Sequence, residues 1–252
     1  MIEGASLYSS SRLTKTDPPI AIDEDSRQYI YYDESGKQGN DLIYSNKSFF
    51  PLPLGDNVIY VSGRRGAGKS TFCSDYMRYY ADITKNKVFL ISKHADDESI
   101  KMPNRSIRIP IDELMNLQMS ELSNSLMVFD DINDATLTAK ETSELYKYLV
   151  DCIENSRHNN ISIVITSHMM ADYKKTRPYL YESNAIVFFP NHSNIAQVEK
   201  VLRGYYSLSS SQITDLLNLK SRWIYLSTTG KKYVIAGDVM FTYQYHREIR
   251  GR

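Results

Sequence analysis

From Val58 onward, short apolar runs of strand length alternate with longer stretches in which apolar residues recur every three or four positions. VIYVS (58–62) is an unbroken apolar run and predicts a buried strand. Residues 70–82 follow with Phe72, Cys73, Tyr76, Met77 and Tyr80 on one side of a predicted helix. VFLIS (88–92) and SLMVFDD (125–131) predict the next two strands, and the latter ends in two carboxylates. Thr138 and Glu141 have capping-box spacing at the start of a helix striped by Leu145, Leu149, Cys152 and Ile153. ISIVITSH (161–168) and AIVFF (185–189) predict a fourth and a fifth strand. Two helices are expected next. Ser209 with Gln212 predicts a capping box on the second, and Leu208 with Ile213 a hydrophobic staple. WIYLS (223–227) and YVIAG (233–237), joined by TTGKK, predict a terminal hairpin. Continuous apolar strands alternating with helices indicate a parallel sheet covered on both faces.

The first fifty residues have a different texture. Residues 1 to about 27 are polar, contain Pro18 and Pro19, and predict an arm or loosely packed extension. RQYIYY (27–32) and DLIYS (41–45), separated by the turn formers of DESGKQGN, predict an antiparallel hairpin at a sheet edge. The expected organisation is an arm and hairpin over 1–49, a core domain over 50–240, and a basic tail over 241–252.

Composition narrows the class. Thirty basic and thirty acidic residues balance, so no global positive field announces a nucleic-acid partner, although a local basic lining would not alter the total. Cys73 and Cys152 lack metal-type spacing and are expected as buried, reduced thiols. The N-terminus lacks the apolar core of a signal peptide. No apolar run approaches the roughly 20 residues of a membrane helix, so the chain reads as soluble.

The chemistry concentrates in GRRGAGKST, between the first strand and its helix. Gly63, four residues, then Gly68, Lys69 and Ser70 form the phosphate-loop pattern, in which flexible backbone aims amides at phosphates. The helix start adds unpaired amides and a positive dipole end. Lys69 suits the β- and γ-phosphates of ATP, and Ser70 a magnesium ion. Arg64, Arg65, Gly66 and Ala67 fill the loop and Thr71 follows it, all at cofactor-contact positions. The two arginines read as surface or subunit-contact charges rather than catalysts.

At the carboxyl edge of a parallel sheet, where ligands bind, Asp130 suits Mg²⁺ and Asp131 suits the water that attacks the γ-phosphate. The end of the fourth strand places Ser167 or His168 beside the γ-phosphate, or His168 is an ordinary polar strand end. Arg157, in ENSRHNN, either reaches the nucleotide of a neighbouring subunit or is a solvated loop residue. Tyr205 and Tyr206, with Lys200 and Arg203 nearby, suit base stacking or plain packing. Lys174, Lys175 and Arg177 suit a phosphate backbone or solvent, and so do the terminal Arg247, Arg250 and Arg252. A nucleotide or small-molecule kinase shares the first motif, but neither an arginine-rich lid nor an acceptor pocket is evident. A GTPase is disfavoured by the lack of an Asn-Lys-x-Asp motif. A scaffold that holds nucleotide without turnover remains the third class.

The ordered set GRRGAGKST, VFDD and SRHNNISIVITSH resembles the genome-packaging ATPases of large DNA viruses and virophages, the poxvirus-type branch of the FtsK–HerA superfamily. The resemblance runs from about Phe50 to Gly237. It implies a RecA-like core, a homo-oligomeric ring, and ATP-driven movement of double-stranded DNA into a preformed capsid through a capsid vertex, in the virion or the host cytoplasm. It also implies metal binding by Asp130, catalysis by Asp131, a trans role for Arg157 and a γ-phosphate sensor at His168. Two positions depart from the pattern. Many members have glutamate where Asp131 stands, and glutamine is usual where His168 stands.

Overall fold

A computed structural model describes residues 5–12, 18–35, 40, 42–53, 58–92, 100–131, 138–172 and 176–243. Six strands form the parallel part of a central sheet. They are β6 (Val58–Ser62), β7 (Lys87–Ile91), β8 (Ser106–Ile109), β9 (Ser125–Phe129), β10 (Ile161–Ser167) and β11 (Ala185–Phe188). Their spatial order is β11-β6-β10-β9-β7-β8, with every neighbouring pair parallel. The sheet continues antiparallel from β11 through β12 (Ile224–Ser227), β13 (Tyr233–Ala236) and β14 (Val239–Thr242) to the edge strand β4 (Leu42–Tyr44).

The central strands are mostly apolar because both faces are buried. Val58 and Tyr60 of β6 point into one core with Leu145, Leu149 and Cys152 of α3 (Ala139–Asn155). The helices α4 (Arg177–Glu182), α5 (Ile195–Gly204) and α6 (Ser210–Leu217) pack there too; the short α2 (Ile111–Leu114) adds Leu114. Ile59 and Val61 point the other way, into a second core with Phe72, Cys73, Tyr76 and Met77 of α1 (Lys69–Thr84). A four-stranded antiparallel sheet closes this side, in the order β1 (Ser6–Ser10), β3 (Tyr29–Asp33), β2 (Ala21–Asp23), β5 (Phe49–Pro51). Both capping boxes form, at Thr138–Glu141 and Ser209–Gln212. Leu208 and Ile213 are both buried in the first core. Cys73 and Cys152 are buried free thiols, and burial pushes both above the ordinary thiol pKa.

Two expectations are corrected. The runs at 27–32 and 41–45 do not pair with each other: β3 pairs with β1 and β2, whereas β4 joins the central sheet beside β14. The described part of the N-terminal arm is packed: Leu7 and the consecutive Ile20, Ala21 and Ile22 are buried in the second core. Phe241 and Thr242 belong to β14. Beyond Tyr243 the tail, with Arg247, Arg250 and Arg252, lies outside the described residues, as do Lys174 and Lys175.

Candidate functional site

Because β10 lies between β6 and β9, three adjacent parallel strands deliver their carboxyl ends to one place. The loop after β6, the carboxylates after β9 and the histidine after β10 therefore meet without any long excursion of chain.

The loop is folded by its glycines. A Cβ on Gly63 would stand 2.7 Å from Phe189 and 2.9 Å from Ala67, so only glycine fits between them. Gly68 has φ +114°, a conformation that L-residues rarely adopt, and it starts α1. The loop is tied down by Gly63 N–H donating to Ser167 O (3.1 Å) and Arg64 N–H donating to His192 O (2.9 Å). No side chain caps α1, and its first turn has no acidic residue. Its leading amides thus keep their donor capacity for a ligand.

Lys69 is buried, and its ammonium donates to Gly63 O (2.8 Å) and to His168 Nδ1 (2.9 Å). Burial lowers its pKa, while the charges of Asp131 and Asp130 act in the opposite direction. An ammonium offers only donors, so Nδ1 of His168 must be an acceptor and the imidazole proton must sit on Nε2. Nε2–H then donates to Asp131 Oδ2 at 2.7 Å. One imidazole thus joins the loop lysine to the acid after β9.

Thr166, fully buried on β10, ties the two aspartates together. It donates to Asp130 Oδ1 (2.8 Å) and accepts the backbone N–H of Asp131 (2.8 Å). Asp131 has φ +49°, which turns its side chain out of the strand direction toward His168. Its Oδ1 is buried with no hydrogen-bond partner among the described residues.

Arg64, Arg65, Gly66, Gly68, Lys69, Ser70, Thr71, Asp130, Asp131, His168 and Arg222 line a cleft of about 670 Å³. That volume suits a nucleotide-sized ligand. Ala67 is buried just behind it. Arg157 is elsewhere, exposed in the turn before β10. The 7 residues of β10 separate it from His168, roughly 20 Å at strand rise, so it does not reach its own chain's cleft. Tyr206 is buried and donates to Leu180 O, and Tyr205 packs edge-on against Tyr181, so this doublet is packing. Two members of the site escaped the sequence reading. Thr166 is an ordinary-looking strand residue, and Arg222 lies about 150 residues from the loop it touches, in no motif.

No protein-family model matches the chain. It is 37% identical to the uncharacterized protein V3 of Sputnik virophage over 209 residues, covering 80% of this chain and 82% of that one. Its fold is similar to that of the pCW3 conjugation coupling protein TcpA, solved with ATPγS. The TM-score is 0.54 at 12% identity, over 95% of this chain and 85% of that one. The genome-packaging NTPase B204 of Sulfolobus turreted icosahedral virus 2, also in complex with ATPγS, superposes at TM-score 0.48 and 11% identity. That match covers 72% of this chain and 96% of B204. At these identities the structural likeness is one of fold, a P-loop ATPase fold with a mostly parallel sheet.

Proposed function

The chain belongs to the family of virophage protein V3, and on that premise we propose that it is an ATP-hydrolysing motor. Its work is to move double-stranded viral DNA into a preformed capsid at the site of viral assembly. The observation that carries the reading is the bonded series Lys69–His168–Asp131 at the mouth of an uncapped phosphate loop. A protein that merely holds nucleotide has no need of an acid tied to the lysine that meets the γ-phosphate.

The residues fit ATP and Mg²⁺. The open amides of α1 and two positive-φ glycines, Gly66 and Gly68, make a cradle for phosphates. Among the described residues no cluster of three His, Cys, Asp or Glu forms a metal cage. Magnesium at such loops takes one or two protein oxygens, waters and phosphate oxygens instead, a role for Ser70 and Asp130. When bound, Mg²⁺ supplies neutralisation of charge between the β- and γ-phosphates.

In this reading Lys69 exchanges its partners Gly63 O and His168 for phosphate oxygens. His168, with its proton on Nε2, keeps the Asp131 carboxylate oriented. Asp131 Oδ1, the buried acceptor, takes a hydrogen bond from the attacking water. His168 registers occupancy through the loss of its bond to Lys69, since Nδ1 without a proton is an acceptor and makes no hydrogen bond to a phosphate oxygen. Arg157 serves the neighbouring subunit, since distance bars it from its own cleft. That role requires a homo-oligomeric ring, with a capsid vertex as its seat.

Displacement of a third strand from a double-stranded DNA triplex tests the motor directly. ATP-dependent displacement by the wild type, absent with a non-hydrolysable analogue, is the expected result. ATP turnover without displacement under any condition of assembly would reduce the protein to a nucleotide hydrolase. Mixing Arg157→Ala with Lys69→Ala subunits should recover activity that neither has alone.

A further inference from the structure

Arg222 lies between α6 and β12, outside every nucleotide-binding motif of the chain. Its Nε donates to Ala67 O at 3.1 Å. Its guanidinium stands over Gly68, with Nε 2.9 Å and a terminal nitrogen 3.1 Å from where a Cβ would be. Next to it, Trp223 packs edge-on against Phe72 of α1 (5.2 Å) and Phe50 of β5 (5.6 Å). The segment is therefore anchored against the loop by Arg222 and against α1 and β5 by Trp223. With Nε engaged by backbone, the guanidinium plane is set, and its four terminal N–H donors have no partner among the described residues. Arg222 is exposed and lines the cleft.

A cation held at the point where the loop becomes helix suits a ligand of definite chemistry. Lys69, tied to Asp131 through His168, marks the γ-phosphate end. The amides after Gly68 belong to the β- and α-phosphates. Arg222 is bound at Ala67 and Gly68, so it stands at this second end. We propose that Arg222 binds the α/β-diphosphate of a nucleoside di- or triphosphate in its own subunit. The inference rests on the nucleotide-binding reading above and adds to it a cation supplied in cis from the C-terminal part of the chain. Because the donors are positioned before the ligand arrives, their effect falls on affinity rather than on the chemical step.

Calorimetric titration of the full chain with ATP, ADP and inorganic pyrophosphate tests this. A charge-assisted hydrogen bond lost on Arg222→Ala should weaken all three by roughly tenfold, with kcat little changed and KM raised. Arg222→Lys, which keeps the charge without the planar fork, should recover part of the loss. Unchanged affinity for all three ligands overturns the inference. So does a loss confined to ATP, which would mean a γ-phosphate contact, or one sparing pyrophosphate, which would mean a contact to the nucleoside. If Arg222→Ala fails to fold, Arg222→Gln is judged by the same criteria. Failure of the folded wild type to bind any of the three would overturn the nucleotide reading itself. Wild-type binding matched by equal binding of the variant overturns only the role of Arg222.

Discussion

Two long helices of this protein begin in opposite ways. The 17-residue α3 starts with a complete capping box: Thr138 accepts from Glu141 N–H, and the Glu141 carboxylate accepts from Thr138 N–H at 2.7 Å. The 16-residue α1 starts at Gly68 with no side-chain cap and no acid in its first turn. An exposed helix start is stabilised by about 1 kcal/mol when a side chain takes up its amides. At α1 the chain forgoes that gain, and Lys69, two aspartates and Arg222 surround the open end. The helix away from the cleft is closed by its own side chains, and the one that opens onto the cleft keeps its first amides open to a ligand.

Lys69→Ala should break the contrast most severely. Removing the ammonium takes away the buried cation nearest His168 and Asp131, so ATP turnover should fall at least a hundredfold and ATP binding should weaken, measured by phosphate release and calorimetry. Retained turnover would mean that the lysine tied to His168 is not the one that meets phosphate. Gly68→Ala should come next. At φ +114° the added methyl is strained, and it collides with Arg222 at 2.9 Å. Nucleotide affinity should drop about tenfold or more, with a fall of a few degrees in Tm; unaltered affinity would show that the loop tolerates another shape. Thr138→Ala should do least. Loss of this cap should cost about 1 kcal/mol and lower Tm by about 2–4 °C, while turnover per folded molecule stays the same. A large loss of activity would tie the start of α3 to the site and erase the distinction between the two helices.

What the sequence reveals depends on how local the signal is. The parallel strands are legible because burial on both faces makes them continuous apolar runs, and α3 and α6 because their caps are three residues apart. The strand at Ser6–Ser10 is not, since Leu7 is its deeply buried large side chain among serines. The edge strand at Ser106–Ile109 is half exposed and its period is blurred. Which strand Tyr29–Asp33 pairs with is decided by packing with Ser6–Ser10 and Ala21–Asp23, which no pattern within residues 27–45 encodes. The site divides likewise. Lys69, Ser70, Asp130, Asp131 and His168 all end or follow recognisable strands and meet in one cleft, whereas Thr166 and Arg222 acquire their contacts only through the fold.

The most direct measurement is the steady-state rate of ATP hydrolysis by the wild-type chain and by Asp131→Asn, each with and without double-stranded DNA. A motor of the kind proposed hydrolyses ATP in the wild type and is stimulated by double-stranded DNA, while Asp131→Asn binds ATP and does not turn it over. Wild-type hydrolysis that is indifferent to DNA in the assembled ring, or full hydrolysis by Asp131→Asn, would contradict it.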